Sequence, residues 1–350
     1  MISKSRVKVI GASVLSVIAI SATALVGSGS AAVASSSQPA TIRIGYQQIP
    51  NGDLVVKHSK ALEKAFPKSK IVWTQFESGG DVNTAMIAGS IDFGLAGSSP
   101  VTRGLSQPLN IGYQVPWIHD VIGTAESLVV RSSLNVKKVA GLKGLKIATP
   151  FASTSHYSLL AALKQAGLKD SDVTLIDMEP TDILAAWTRG DIDAAYVWSP
   201  TLDQLEATGK VLTSSAAMAK AGFPTYDLAV VATAFATKYP TAVQTWLKAE
   251  NDAVTLIQTK PAKAAAAIAA ELGISAAEAQ AQMKGLVYLN YKEQESKTYL
   301  GTPKRRGVFA DGLLKAATFL LGQGKITALP SLSSLRNAVD TADLYAAFKK

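Results

Sequence analysis

The chain contains no cysteine. That excludes disulfides, thiolate nucleophiles and cysteine-based zinc sites. It also excludes the lipid-modified cysteine that would tether an exported protein to a membrane. Histidine is scarce, with only His58, His119 and His156, and no His-Glu-x-x-His or other paired spacing points to a metal. A glycine-rich phosphate loop is missing: Gly45 and Gly52 do not make Gly-x-Gly-x-x-Gly, and no Gly-Lys-Ser or Gly-Lys-Thr occurs, so no cofactor motif is present. The formal net charge is +9, yet basic residues are scattered among acids. No basic block with interleaved aromatics exists, which argues against a nucleic-acid partner. Lys349-Lys350 reads as a solvated tail.

One long apolar run is present, at the start. Lys4, Arg6 and Lys8 precede Val9 to Val26, which carries no charge, and Ala32-Val33-Ala34 is a small-x-small site before Ser35-Ser36-Ser37. This pattern predicts a cleaved export signal over 1–34. A single membrane anchor is the rival, because the run approaches the roughly 20 residues that cross a bilayer. The Ala-x-Ala site and the serine-rich tail favour the signal. With no cysteine to lipidate, the exported protein would diffuse freely, which implies a periplasm. The remaining ~316 residues suit two domains better than one small core.

Strand and helix patterns alternate along that remainder. Thr41 to Tyr46, Ile71 to Trp73 and Ile91 to Leu95 read as strands, with helical spacing over Leu54 to Phe66 and Asp81 to Ala88. The pattern repeats at Leu145 to Ala148, Val173 to Ile176 and Ala194 to Val197. Such alternation predicts mostly parallel sheets covered by helices, in two α/β units. The runs Ser127 to Val130 and Leu228 to Val231 could cross between the units. After Ala232 the sequence reads as helices at Pro240–Ile257, Pro261–Glu271, Ala276–Lys284 and Val308–Leu321. The economical arrangement is a discontinuous first lobe, 40–127 plus 232–325, and an inserted second lobe, 128–231. Two crossovers would form a hinge that closes on a ligand.

In open α/β sheets ligands bind at the carboxyl ends of strands, where helices begin. Two of the segments found there are small and rich in hydroxyls: Gly97-Ser98-Ser99-Pro100, and Pro150 to Tyr157 with Ser153-Thr154-Ser155. Free N–H groups and the macrodipole at a helix start suit an oxyanion, and hydroxyls add donors without charge. Ordinary N-capping is the plainer role for any single serine, but one such loop per lobe raises the anion reading. Glu126 and Asp227 sit at the starts of the two crossovers, where a pair of carboxylates could receive an ammonium. Trp198 could cover that ammonium. A hinge salt bridge, or a core position for Trp198, comes first on sequence alone. Catalysis has little support. His119 lies in what reads as an aromatic loop, and His156 beside hydroxyls does not make a triad.

Three stretches resemble the periplasmic taurine-binding proteins of bacterial ABC importers: Gly97 to Pro100, Pro150 to Leu163, and Ala185 to Trp198 with its Trp187-Thr188-Arg189-Gly190-Asp191-Ile192-Asp193. The likeness runs from about Thr41 to Leu321. The Ser-Ser-Pro motif alone is shared with binders of aliphatic sulfonates, nitrate and thiamine precursors. The resemblance implies a type II-like two-lobe periplasmic-binding-protein fold, a monomer with no catalysis, and an ABC permease as partner. It implies a sulfonate held by hydroxyls and amides at Ser98, Ser99, Ser153, Thr154 and Ser155. It implies an amine held by Glu126 and Asp227 beside Trp198, with Gln47 in the first loop. The stretches 49–53 and 113–124 depart from the pattern, and Trp117 would then reshape the pocket. Two other readings stand beside this one. They are a binder of another small sulfonate or zwitterion, and an exported enzyme on the same fold with His156 as base.

Overall fold

The computed structural model describes residues 38–349. The expected signal, 1–34, lies outside the described residues. No helix among those described is long and apolar enough to cross a membrane.

Two sheets organise the chain. The first has the order β11-β4-β10-β3-β1-β2, built from β1 (Thr41–Tyr46), β2 (Lys70–Gln75), β3 (Phe93–Gly97), β4 (Tyr113–Ile122), β10 (Tyr226–Ala232) and β11 (Leu286–Val287). The second has the order β7-β6-β8-β5-β9, built from β5 (Glu126–Arg131), β6 (Lys146–Thr149), β7 (Thr174–Asp177), β8 (Ala194–Trp198) and β9 (Gly209–Ser214). Both sheets are mixed. Parallel pairing holds where a helix separates strands, as in β1 with β2 and β3, and β6 with β7 and β8. The strands next to the crossovers pair antiparallel: β10 with β3 and β4, and β5 with β8 and β9. The chain leaves the first sheet through Gly123–Ala125 and returns through Ser215–Thr225. Neither β-branched run crosses between lobes. Ser127–Val130 lies within the second sheet, and Leu228–Val231 lies within the first.

Local chemistry accounts for these elements. In β1, Ile42 and Ile44 are buried while Arg43 turns outward and pairs with Asp92. β3 is buried throughout, as a central strand with helices on both faces should be. The helix Gly79–Ile87 stops at Gly89, whose φ of +62° suits glycine. The helices Pro240–Thr259 and Pro261–Leu272 each begin with proline, whose missing N–H costs nothing in the first turn. Between the long helix and the first sheet, Trp246 stacks on Phe93 with ring centroids 5.1 Å apart. Such a pair is worth about 0.5–1.5 kcal/mol beyond its buried area. The second sheet packs apolar side chains on both faces, around Ile183 and Trp187 on one side and Leu159 and Leu163 on the other.

The stretch read as an aromatic loop at 117–119 is strand β4. Trp117 is fully buried in the first core, so it does not reshape the pocket. Opposite β10, the β4 register slips between Asp120 and Ile118, leaving His119 as an unpaired bulge residue.

Candidate functional site

The carboxyl ends of β1, β3, β6 and β8 converge on one cleft between the lobes. The space between them, counted with its open mouth, is about 440 Å³. Gln47, Glu126, Ser153, Thr154, Trp198 and Asp227 all line it. Ile49, Pro50, Ile122 and Leu286 supply apolar wall, and Gly79, Gly97 and Pro100 supply the small surfaces. Of these, sequence reasoning had placed Gly97 and Pro100 at the site but had not singled out Ile122 or Leu286.

Two helices begin at the cleft, Ser98–Gly104 after β3 and Thr154–Gln165 after β6. Ser98 and Thr154 hold the first helical position of each, and Ser99 and Ser155 the second. Thus the two loops are equivalent, one from each lobe. They also touch. A Cβ placed on Gly97 would lie 2.7 Å from the Thr154 methyl, so glycine is what lets the lobes meet here. Ser153 caps the second helix by accepting from the His156 N–H at 3.1 Å. Ser98 Oγ accepts from the Tyr226 N–H at 3.3 Å and ties its helix to β10. The Ser99 hydroxyl is buried and has no hydrogen-bond partner among the described residues, whereas the Ser155 hydroxyl lies close enough to Glu126 to act on its carboxyl. Ser98, Ser99 and Ser155 are buried beside the cavity without lining it.

Glu126 opens β5 opposite Trp198, the last residue of β8. Thr154 Oγ1 donates to its Oε2, and Ser215 Oγ donates to its Oε1, both at 2.5 Å. The Thr154 hydroxyl is therefore committed to Glu126, and only its backbone N–H remains for an anion. Burial raises the Glu126 carboxyl above its ordinary range, while the hydroxyls of Ser215, Thr154 and Ser155 pull it back in part. Ser215 was not visible in the sequence pattern. It sits where the chain leaves β9, and the hydroxyls of Tyr196 and Ser158 surround it. Gln47 is fixed by donating Nε2 to the Leu95 carbonyl at 2.9 Å. Trp198 packs against the cores of both lobes.

Asp227 lies at the start of β10, and burial, then the neighbouring Glu126, push its carboxyl up to about 7. Its partner across β4 is Asp120, fully buried. Burial and then the Asp227 charge hold Asp120 well above the usual carboxylate range. Asp120 is a site residue that the sequence did not reveal.

The histidines lie elsewhere. His156 is buried between Phe151, stacked at 4.6 Å, and Phe319, and its Nδ1 accepts from the Ala152 N–H. Burial drops its pKa to about 4. His119 lies in the first core, with Nε2 3.7 Å from Asp53 and Nδ1 3.5 Å from Glu250. One ligand atom of each of these three residues lies within 4.8 Å of the others. Each ring nitrogen nevertheless faces a different carboxylate. Neither contact is a hydrogen bond, and burial lowers the His119 pKa.

Residues 40–281 match the family described as the substrate binding domain of ABC-type glycine betaine transport system. The chain belongs to that family. It is 33% identical over 303 residues to the taurine-binding periplasmic protein of Escherichia coli (strain K12), covering 85% of this chain and 91% of that one. Among solved structures it is similar to the alkanesulfonate-binding protein SsuA from Xanthomonas axonopodis pv. citri bound to MOPS. That match has a TM-score of 0.69 and 23% identity over 87% of this chain and 99% of the other. The desulfurization enzyme DSZB shares the fold, with a TM-score of 0.63 and 16% identity over 88% of this chain and 99% of the other. The family places the chain among the sulfonate- and taurine-type solute-binding proteins of ABC importers.

Proposed function

We propose that the protein captures taurine in the cleft and delivers it to the permease of an ABC importer. It would act in the periplasm after removal of a signal over 1–34, as a monomer and without catalysis. The lobes 40–127 plus 232–325 and 128–231 would close about the crossovers. The sulfonate would sit at the two helix starts, accepting from backbone N–H groups and from the Ser98, Ser99, Ser153 and Ser155 hydroxyls. The buried Ser99 hydroxyl, without a partner at one of these helix starts, supports that placement. The ammonium would lie between Glu126 and Asp227 against Trp198, with Gln47 at the first-lobe wall.

One observation carries the choice of an amine ligand. Glu126 and Asp227 line one cavity, and no basic side chain acts on either among the described residues. A ligand without a cation would leave Asp227 desolvated with no countercharge, and Glu126 held by neutral hydroxyls alone. That costs at least about 1–3 kcal/mol, or about tenfold or more in affinity. The apolar wall of Ile49, Ile122 and Leu286 favours a second reading, a plain alkanesulfonate. An enzymatic role has less support, because His156, the candidate base, is buried between two aromatic rings outside the cavity lining.

The variant Asp227→Asn separates the two ligand readings. Calorimetry should show taurine weakened about tenfold or more and ethanesulfonate unchanged or tightened. Equal loss for both ligands would remove the ammonium from this position.

A further inference from the structure

Asp120 and Asp227 face each other across β4 and β10 as direct register partners, so their side chains lie on one side of the sheet, within contact. Both are buried, Asp120 at 0% exposed and Asp227 at 5%. Asp227 reaches the cavity and Asp120 lies behind it. Two carboxylates offer each other only acceptors. Neither oxygen of Asp120 finds a donor in hydrogen-bonding geometry among the described residues. The groups that act on the pair bring no positive charge: Glu126 adds a third acid, Asn51 offers a neutral amide, and Tyr288 a phenol. The Tyr288 hydroxyl is already donated to the Pro50 carbonyl. Like charges in such contact cannot both ionise, and one proton must lie between them. Of the two, Asp120 is the deeper and the further from solvent and ligand.

We propose that Asp120 is a neutral carboxylic acid that donates a hydrogen bond to Asp227. It thereby holds the Asp227 carboxylate, ionised, toward the cleft. Asp120 is a positioning residue: it acts on the ligand only through Asp227. It sets selectivity by keeping one acceptor oriented for a cation while adding no second charge behind it. This assignment rests on the reading of the ligand as one that carries an ammonium group.

Two variants separate the roles that Asp120 can play. Asn at this position is neutral and keeps an N–H donor, whereas Leu is neutral and has none. For a donating acid, Asp120→Asn should hold taurine affinity within about threefold of the wild type at pH 7. Asp120→Leu should weaken it about tenfold or more, the cost of an unmade bond to a buried charge. Its taurine affinity should also need higher pH to develop, because Asp227 would ionise less readily. Ethanesulfonate should bind all three proteins alike. Equal losses of taurine in both variants would overturn the proposal, since Asp120 would then act by its charge. Wild-type affinity in Asp120→Leu would overturn it too. Carboxyl-carbon NMR of ligand-free protein labelled at aspartate tests the protonation itself, even if taurine proves not to be the ligand. One resonance, absent in Asp120→Asn, should keep its protonated shift at pH 7, and an ionised shift there would contradict the proposal. Equal binding of taurine and ethanesulfonate to the wild type would instead count against the ligand reading, and the NMR result would still decide Asp120.

Discussion

Both oxygens of Glu126 already accept hydroxyl protons from the second lobe, from Thr154 and Ser215. Those two donors, with the Ser155 hydroxyl, partly offset the burial that raises the carboxyl. Ser215→Ala removes one of them. At pH 7 it should weaken taurine by about tenfold, the effect of an unsatisfied buried acceptor, and leave ethanesulfonate unchanged, both read by calorimetry. Asp227 makes a prediction of opposite kind, on stability. A carboxyl raised from 3.8 to about 7 binds its proton more tightly in the folded chain than in the unfolded one. Its stabilising contribution is therefore present at low pH and lost as pH rises through that window. Ligand-free protein should melt at a lower temperature at about pH 8 than at about pH 5.5. Asp227→Asn should narrow the difference, and an unchanged difference in thermal melts would refute this. At this scale the sequence was partly legible. Resemblance named Glu126 and Asp227, and the structure puts both in one cavity. Asp120 and Ser215 stayed hidden because their roles depend on cross-strand register and on how a loop folds back, which spacing along the chain does not encode.

The elements that carry the family likeness are not all ligand-facing. In the helix Pro180–Arg189, Trp187 lies under the Arg131 guanidinium at 4.5 Å and donates its indole N–H to Thr208. Gly190 ends that helix at φ +86°, and Asp193 accepts from the Lys146 N–H. The Trp-x-Arg-Gly-Asp-Ile-Asp run thus builds the second lobe, and only Trp198 beyond it reaches the cavity. The helix starts at Ser98 and Thr154 are where function meets packing, and Gly97 decides how closely they meet. Gly97 has φ of −63°, so alanine is tolerated by the backbone. Its methyl group would still press on Thr154 at 2.7 Å. Gly97→Ala should therefore leave secondary structure intact yet oppose closure by about 1–3 kcal/mol, seen as weaker binding and a less compact liganded form in solution scattering. Unchanged affinity would mean that the lobes close elsewhere. The four helices expected after Ala232 were legible to within a few residues, because proline starts and regular apolar spacing mark them, whereas the short helices Thr233–Lys238, Leu332–Ala338 and Thr341–Phe348 were not. Strand β4 was not, because its aromatic residues, Pro116 and bulge at His119 break the simple alternation.

At the scale of the molecule, the two lobes meet beyond the cavity as well. Ser78 donates to Glu179, and Thr181 donates to Glu77. On another side, Phe319 meets Tyr157 edge to face at 5.0 Å. These contacts hold the lobes together on both sides of the cavity. Alternating strands and helices foretold two α/β units. They did not foretell the antiparallel pairing around the crossovers, since direction depends on which strands become neighbours. The central claim is that this cavity reads both ends of a zwitterionic sulfonate. Calorimetric titration of the wild-type protein with taurine and ethanesulfonate at neutral pH tests it most directly. Taurine should bind about tenfold or more tightly, and ethanesulfonate binding as tightly as taurine would contradict the account.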